Sequence, residues 1–327
     1  MEIRILRSAD VNALLPMKDC IDLMQRTMIA VSEGRVVLPL RSILMMPGDT
    51  GMMGNMPGYL GDPECFGVKL ISLMPRNKPP QYSSHLGIVL LFDVEHGQPV
   101  AMLDGAAITA LRTAAASGLA TRLLARPDAS DLAILGTGEQ ASTHLAAMLC
   151  VRKLRRIRVW GRDLEKTSAF AQAEGAKHGV TVEVAGTVRD AVTDADIICT
   201  VTKAREPILL GEWIKPGAHL NVVGSSVATT AEIDTPTVVK SRYFVDCRSS
   251  TITEGGDYLR ALRAGAITAE HILGEIGEVA NGSKVGRTSP GDVTLYKSLG
   301  IAPQDLASAH YVLQKARERG VGQVIDF

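Results

Sequence analysis

Gly136, Gly138 and Ala141 form a GxGxxA pattern in "AILGTGEQASTHLAAM". The run follows an apolar, strand-like stretch and opens a helical one, the setting in which such glycines cradle a pyrophosphate. Gly136 is expected to make the tight turn, Gly138 to let the backbone approach the phosphates, and Ala141 to let the helix pack on the strand. The helix N-terminus adds N–H donors and positive potential. Thr137, Glu139 and Gln140 fall inside this cradle. Thr113 and the strand ends at Thr200, Val201, Thr202, Val223 and Gly224 are assigned to the rest of the cofactor. The next strand, "RIRVW", runs into Gly161, Arg162 and Asp163. A guanidinium there can pair with a 2′-phosphate, which favours NADP(H), while Asp163 leaves NAD(H) possible.

Three basic residues stand in apolar company. Arg112 lies in "AAITALRTAAAS", a helical run of small residues, and Arg41 and Lys69 lie in runs read as apolar strands. A cation on such a face is costly to bury without an anion. One substrate carboxylate could serve all three; the alternative is a structural acid such as Asp104. His85, just before "LGIVLLF", can donate or accept a proton near neutrality, or it is a structural hydrogen-bonding residue. Lys69 and His85 are the candidate catalytic residues. "HLNVVGSSVATTAEID" ends an apolar strand at Gly224 and runs into Ser225 and Ser226, either as loop caps or, for Ser226, as a substrate contact. His144 and His219 read as core residues and His310 as part of a terminal helix.

These residues need a scaffold. The 327 residues, 46% hydrophobic, are enough for two domains. Lys+Arg and Asp+Glu number 35 each, so no basic nucleic-acid footprint is expected. No apolar run approaches the roughly 18–20 residues of a membrane span, and "MEIRILRSAD" has no signal-peptide core. Five scattered cysteines without a CxxC pair read as reduced thiols, with no metal site. A cytoplasmic protein is expected.

Residues 2–6 read as a strand and "PMKDCIDLMQRTMIAVSEG" as a helix starting near Pro16 and stopping at Gly34. "VVLPLRSILMM" reads as a strand, "GDTGMMGNMPGYLGDP" as loop or irregular edge. "FGVKLISLMP" and two strands joined at "EHGQ" follow, then the helix "AAITALRTAAASGLATRLLARP". After it, strands and helices alternate through "DLAILG", "RIRVWG", "VTVEVAG", "ADIICTVT", "HLNVVG" and "YFVD", which implies a parallel sheet covered on both faces. The stretch "GDVTLYKSLGIAPQDLASAHYVLQKARERG" reads as a turn-like start and a helix. The methionine-rich "LMMPGDTGMMGNMPG" reads as an adaptable apolar wall or subunit contact.

"PLRS" (39–42), "VKL" (68–70), "DGAAITALRTAAAS" (104–117), "ILGTGEQA" (134–141), "EPILLGEWIKPGAHLNVVG" (206–224) and "TLYKSLGIAPQDLA" (294–307) together resemble the ornithine cyclodeaminase/μ-crystallin family and run in its order over most of the chain. The resemblance implies an α/β fold: a Rossmann domain over 118–300, and an α+β substrate and dimerisation domain over 1–117 completed by 301–327. It implies a homodimer and a small imino- or amino-acid substrate whose carboxylate is held by residues matching Arg41, Lys69 and Arg112. Family activities include cyclodeamination, amino-acid dehydrogenation and imine reduction, and some members mainly bind ligands. Where cyclodeaminases carry an aspartate for ring-closing chemistry, this chain has Ser226, which cannot act as a carboxylate base. The ketimine reductases resemble it there and in the pair Ser84–His85. The expected activity is NAD(P)H-dependent reduction of an imino-acid C=N bond; a redox-neutral cyclodeaminase and an NADP-gated binder are the alternatives.

Overall fold

The computed structural model describes residues 2–77 and 85–326, His85 through its backbone alone. The chain divides into two units, 1–112 with 301–327 and 113–300. The division follows Arg112, five residues before the expected end at Ser117.

The first unit opens with β1 (Glu2–Leu6), α1 (Ser8–Leu14) and α2 (Met17–Ser32). Helix α2 buries Cys20, Met24, Met28 and Val31 along one stripe, the 3.6-residue period read from its sequence. Gly34, at φ +71, takes the left-handed turn that stops it. Strands β2 (Val36–Val37), β3 (Ser42–Met45), β4 (Met52–Gly61), β5 (Glu64–Leu73), β6 (His85–Phe92) and β7 (Pro99–Asp104) follow, then α3 (Gly105–Leu124).

Much of the glycine- and proline-rich run expected to be loop or irregular edge is therefore β4, a regular ten-residue strand paired along its whole length with β5. Its breakers are tolerated for positional reasons. Pro57 falls between the residues of β4 that pair with β3 (52–55) and those that pair with β2 (59–60), a gap in the ladder on that side. Arg41 is also not within an apolar strand: it precedes β3, is half-buried, and β3 itself is exposed at all four residues.

The second unit runs through β8 (Asp131–Leu135), α4 (Glu139–Val151), β9 (Arg156–Trp160), α5 (Leu164–His178), β10 (Glu183–Val184), α6 (Val188–Val192), β11 (Ile197–Thr200), β12 (His219–Val222), α7 (Thr235–Lys240), β13 (Ser241–Val245), α8 (Arg248–Glu254), α9 (Gly256–Arg263), β14 (Ile272–Glu275), α10 (Ile276–Ala280) and β15 (Val293–Lys297). These strands form one parallel sheet in the order β10-β9-β8-β11-β12-β15-β13-β14. Strands β8, β11, β12 and β15 are buried at every residue, as apolar runs covered on both faces must be. The fold is the doubly wound Rossmann type. Its order reverses between β8 and β11, the switch point beside which nucleotides bind. The segment 293–297, expected to be turn-like, is β15, a central strand. Its five residues are too short for periodicity to mark against the Gly-Asp turn before them.

The chain returns to the first unit with α11 (Ala302–Arg319) and β16 (Gln323–Asp326). The unit's sheet runs β16-β1-β7-β6-β5-β4-β2, with β3 also on β4. Gly58 and Gly67 face each other across β4 and β5 and form the floor on which α11 packs. A Cβ on Gly58 would lie 3.1 Å from Ala302 Cβ, and one on Gly67 would lie 3.2 Å from Leu306 Cδ2. That close approach sets where the first turn of α11, with Gln304 and Asp305, stands.

Candidate active site

In the first unit, Lys69 sits mid-strand in β5, only 1% exposed, and Arg112 on α3 is 5% exposed. Their shared partner is Asp305, in the first turn of α11. Asp305 Oδ2 lies 2.7 Å from Lys69 Nζ, and Arg112 Nε donates to Oδ1 at 2.9 Å. Arg112 Nη1 also donates to Gln304 Oε1 at 2.9 Å, and Thr109 Oγ1 lies 3.4 Å from Lys69 Nζ. Asp104, weighed as the structural acid, instead accepts the Ala107 N–H at 2.8 Å at the start of α3. Burial first, then the Arg112 charge, pulls the Lys69 ammonium down to about 7; Asp305 opposes them and Arg41 adds to the fall. While Lys69 is protonated, two buried cations thus share one buried anion, and an excess positive charge remains. The backbone of His85 begins β6 opposite Leu73; its side chain and Ser84 lie outside the described residues.

In the second unit, the GxGxxA run stands at the end of β8 and the start of α4. Gly136 has φ +128 and donates its N–H to Trp160 O at 2.8 Å; a Cβ there would come within 2.7 Å of Val201 O. Gly138 is the N-cap of α4, offers no capping side chain, and would meet no protein atom within 4 Å through a Cβ. The first-turn N–H groups of a helix have no intrahelical partner, so this end is open to an anion. Gln140 Oε1 is buried without a hydrogen-bond partner among the described residues. Ala141 is fully buried under the helix. A Cβ on Gly161 would lie 2.6 Å from Thr167 Oγ1 and 2.8 Å from Thr137 Cγ2, so a larger residue there would displace one of these side chains. A glycine open on its Cβ side and an uncapped helix start fit a dinucleotide pyrophosphate. Arg162 is exposed beyond β9, whereas Asp163 accepts the Lys166 N–H at 3.1 Å as the N-cap of α5. Thr113 is buried on α3.

Beyond β11 and β12, one buried acid gathers the strand ends. Glu232 accepts from Thr200 Oγ1 at 2.8 Å, Thr202 N at 2.6 Å, Thr202 Oγ1 at 2.7 Å and Gly224 N at 2.6 Å. Desolvation raises its carboxyl above the usual range against these donors. Val201 N donates to Leu135 O and Val223 N to Thr200 O, which completes the shelf. Ser225 is not a simple loop cap. Fully buried, it lies between Lys297 Nζ and Asp257 Oδ2, themselves an ion pair at 2.7 Å. Asp257 Oδ1 also accepts from Glu232 N at 2.7 Å. Ser226, next on the loop, is half-buried. Lys297, Asp257 and Ser225 therefore anchor the loop that presents Ser226.

Asp305, Gln304, Glu232, Asp257 and Lys297 were not anticipated. Only position could have flagged them: an acid two residues after Pro303 at a helix start, and a lysine closing the apolar "VTLYK". His144 and His219 are core residues as expected. His144 Nδ1 lies 2.7 Å from Gln140 O and Nε2 lies 2.9 Å from Ser117 Oγ, so Nδ1 carries the proton. Burial lowers His144 to about 4 and His219 to about 3. Among the described residues no group of three or more His, Cys, Asp or Glu could hold a metal, and no helix is long and apolar enough to cross a membrane.

The chain is similar to a Delta(1)-pyrroline-2-carboxylate reductase of Bacillus cereus (strain ZK / E33L), 35% identical over 297 residues that cover 90% of this chain and 91% of that protein. It is 37% identical over 280 residues to the ketimine reductase mu-crystallin of Mus musculus, covering 86% and 85%. The solved structure of Thermococcus litoralis Delta(1)-pyrroline-2-carboxylate reductase in complex with NADH and L-proline superposes with a TM-score of 0.94 at 36% identity, covering 98% and 99% of the two chains. The model of the ornithine cyclodeaminase/mu-crystallin family matches residues 1–320. The chain belongs to the ornithine cyclodeaminase/mu-crystallin family.

Proposed function

We propose that this protein is an NAD(P)H-dependent reductase of imino-acid C=N bonds, with a cyclic ketimine carboxylate of the pyrroline-2-carboxylate class as substrate. The observation that carries this reading is the buried cluster of Lys69, Arg112 and Asp305, which leaves a positive charge for one substrate carboxylate. Lys69 and Arg112 bind the carboxylate, with Arg41 contributing. Each charge-assisted hydrogen bond stabilises the complex by about 1.5–3 kcal/mol. Lys69 or His85 holds the proton that passes to the imine nitrogen. A bound nicotinamide dinucleotide supplies the hydride for the imine carbon. Gly136, Gly138 and the start of α4 hold its pyrophosphate, and Thr200, Thr202 and Gly224, tied by Glu232, form the shelf for its far end. Units 1–112 with 301–327 and 113–300 serve as the substrate and dinucleotide units.

NADP(H) is the favoured cofactor: Arg162 is exposed where a 2′-phosphate would arrive, and Asp163 is engaged as a helix cap. Arg162→Ala is expected to weaken NADPH binding while sparing NADH; equal effects on both refute the preference. The protein is proposed to be a homodimer through its first unit, where Val37, Leu40, Ile43, Leu44, Met45 and Met53 expose apolar side chains.

The test follows reduced-nicotinamide absorbance with pyrroline- and piperideine-carboxylates, beside ornithine. Oxidation of the cofactor with the cyclic imines is expected. Ammonia and proline from ornithine without net cofactor change would replace this reading with cyclodeamination, for which Ser226 lacks the charge.

A further inference from the structure

Among the described residues, Lys69 and Arg112 both pair with the carboxylate of Asp305. We propose that Asp305 is a positioning residue for the carboxylate site: one carboxylate, divided between Lys69 Nζ and Arg112 Nε, fixes two cations beside each other and cancels one of their charges. This rests on the reading of Lys69 and Arg112 as the substrate clamp.

The geometry makes the role specific. Asp305 is fully buried at the start of α11, so its oxygens cannot trade partners with water. Gln304, its neighbour, accepts from Arg112 Nη1 at 2.9 Å and so fixes the plane of the guanidinium. The helix is seated by the Gly58–Gly67 floor, so the carboxylate has little freedom to follow the cations if they move. Among the described residues, the charged groups that act on Lys69 are Arg112 from α3, Arg41 from the segment before β3, and Asp305 from α11. The Cys20 thiol of α2, which feels the Arg112 charge, is pushed by burial up to about 12 and stays neutral. Among the described residues, only Asp305 opposes the burial and the two guanidinium charges that drive the proton off Lys69.

The sign follows. Without the Asp305 charge, Lys69 loses its proton at lower pH than in the native protein. While Lys69 is still protonated, however, the site is more positive and holds an anion more tightly. Asp305→Asn should therefore bind a carboxylate better than the native protein at acid pH and worse at alkaline pH, so the two pH curves cross. Each pH unit by which the limb moves is about a tenfold loss of affinity above it.

The probe is 2-furoate, a flat ring carboxylate with no group titrating near neutrality. Its affinity for the full-length, NADP-loaded protein is measured by calorimetry across pH. Native affinity is expected to fall as pH rises through about 7, the Lys69 value. Asp305→Asn should move that limb downward and cross the native curve. Asp305→Glu, which keeps the charge but displaces it, should keep the limb in place with weaker binding at every pH, and it serves if Asp305→Asn does not fold. A parallel loss at all pH values in Asp305→Asn, or unchanged affinity in Asp305→Glu, overturns the proposal. A native protein that binds no carboxylate and reduces no imine would instead refute the functional reading beneath it.

Discussion

At the scale of single residues, conformational permission and charge divide the work. Gly138 is open on its Cβ side, so Gly138→Val should leave the protein folded with an unchanged melting temperature. The branched side chain would then stand where the pyrophosphate must come. A loss of dinucleotide affinity of at least about a hundredfold, roughly 2.7 kcal/mol, is expected by calorimetry, since several charge-assisted N–H contacts are blocked together. Unchanged affinity would remove the GxGxxA run from the cofactor site. The expectation comes from glycine spacing alone, because the requirement is local: backbone that approaches a phosphate has no room for a Cβ. The partner of Lys69 and Arg112 was not legible. A buried acid on a distant helix leaves no mark in the residues around the lysine, and Asp104, the acid nearest Arg112 in the sequence, is engaged at the start of α3 instead.

At the scale of elements, the run Met52–Gly61 carries the main lesson. Glycine and proline there follow the logic of close packing, not of turns. A Cβ on Gly67 would lie 2.0 Å from Leu90 O, against backbone that cannot swing away, whereas the nearest neighbour of one on Gly58 is a side-chain methyl at 3.1 Å. Gly67→Ala should therefore destabilise by about 3 kcal/mol or more and Gly58→Ala by about 1 kcal/mol. Denaturant titration of both variants checks the order; equal costs would mean that β5 shifts freely under α11. Local propensity assigned these residues to a loop because it counts breakers one at a time. Pairing with β5 on one side and a helix seated above overrode it. The strands β8, β11 and β12, by contrast, announced themselves, since a strand covered on both faces needs an unbroken apolar run.

At the scale of the whole molecule, two predictions concern stability and assembly. His144 and His219 are held neutral in the second unit, with values depressed to about 4 and about 3. An unfolded histidine titrates near 6.5, so as pH falls below that the unfolded chain takes up protons that the native one refuses. Their contribution is present at neutral pH and lost on acidification, each by about 1.4 kcal/mol per pH unit between roughly pH 6 and 4. Urea melts across that window should steepen accordingly. His144→Asn should start about 1–2 kcal/mol less stable at neutral pH, through its lost hydrogen bonds, but fall less steeply; parallel slopes would show that His144 is charged in the native state. For assembly, Leu44→Glu places a charge on the exposed apolar face of β3, where Leu44 is 57% exposed. Sedimentation should show a shift from dimer to monomer while the circular dichroism of the fold is retained. A dimer that persists undiminished puts the interface elsewhere.

The sequence by itself determined what depends on neighbours along the chain: the alternation that builds the parallel sheet, the glycines of the turn between β8 and α4, and the two cations, Lys69 and Arg112, whose apolar company demanded an anion. Each is a local constraint, expressed within a turn or a strand. Only the tertiary structure decided which acid answers Lys69 and Arg112, that Glu232 ties Thr200, Thr202 and Gly224 together, that Ser225 is locked between Lys297 and Asp257, and that a glycine-rich run is a strand. The reason is physical. A buried charge must find its counter-charge wherever packing brings one, and β-pairing stabilises segments whose own propensity is poor. Both energies arise between residues far apart in the chain, so they exist only once the sheet and the helix above it have come together.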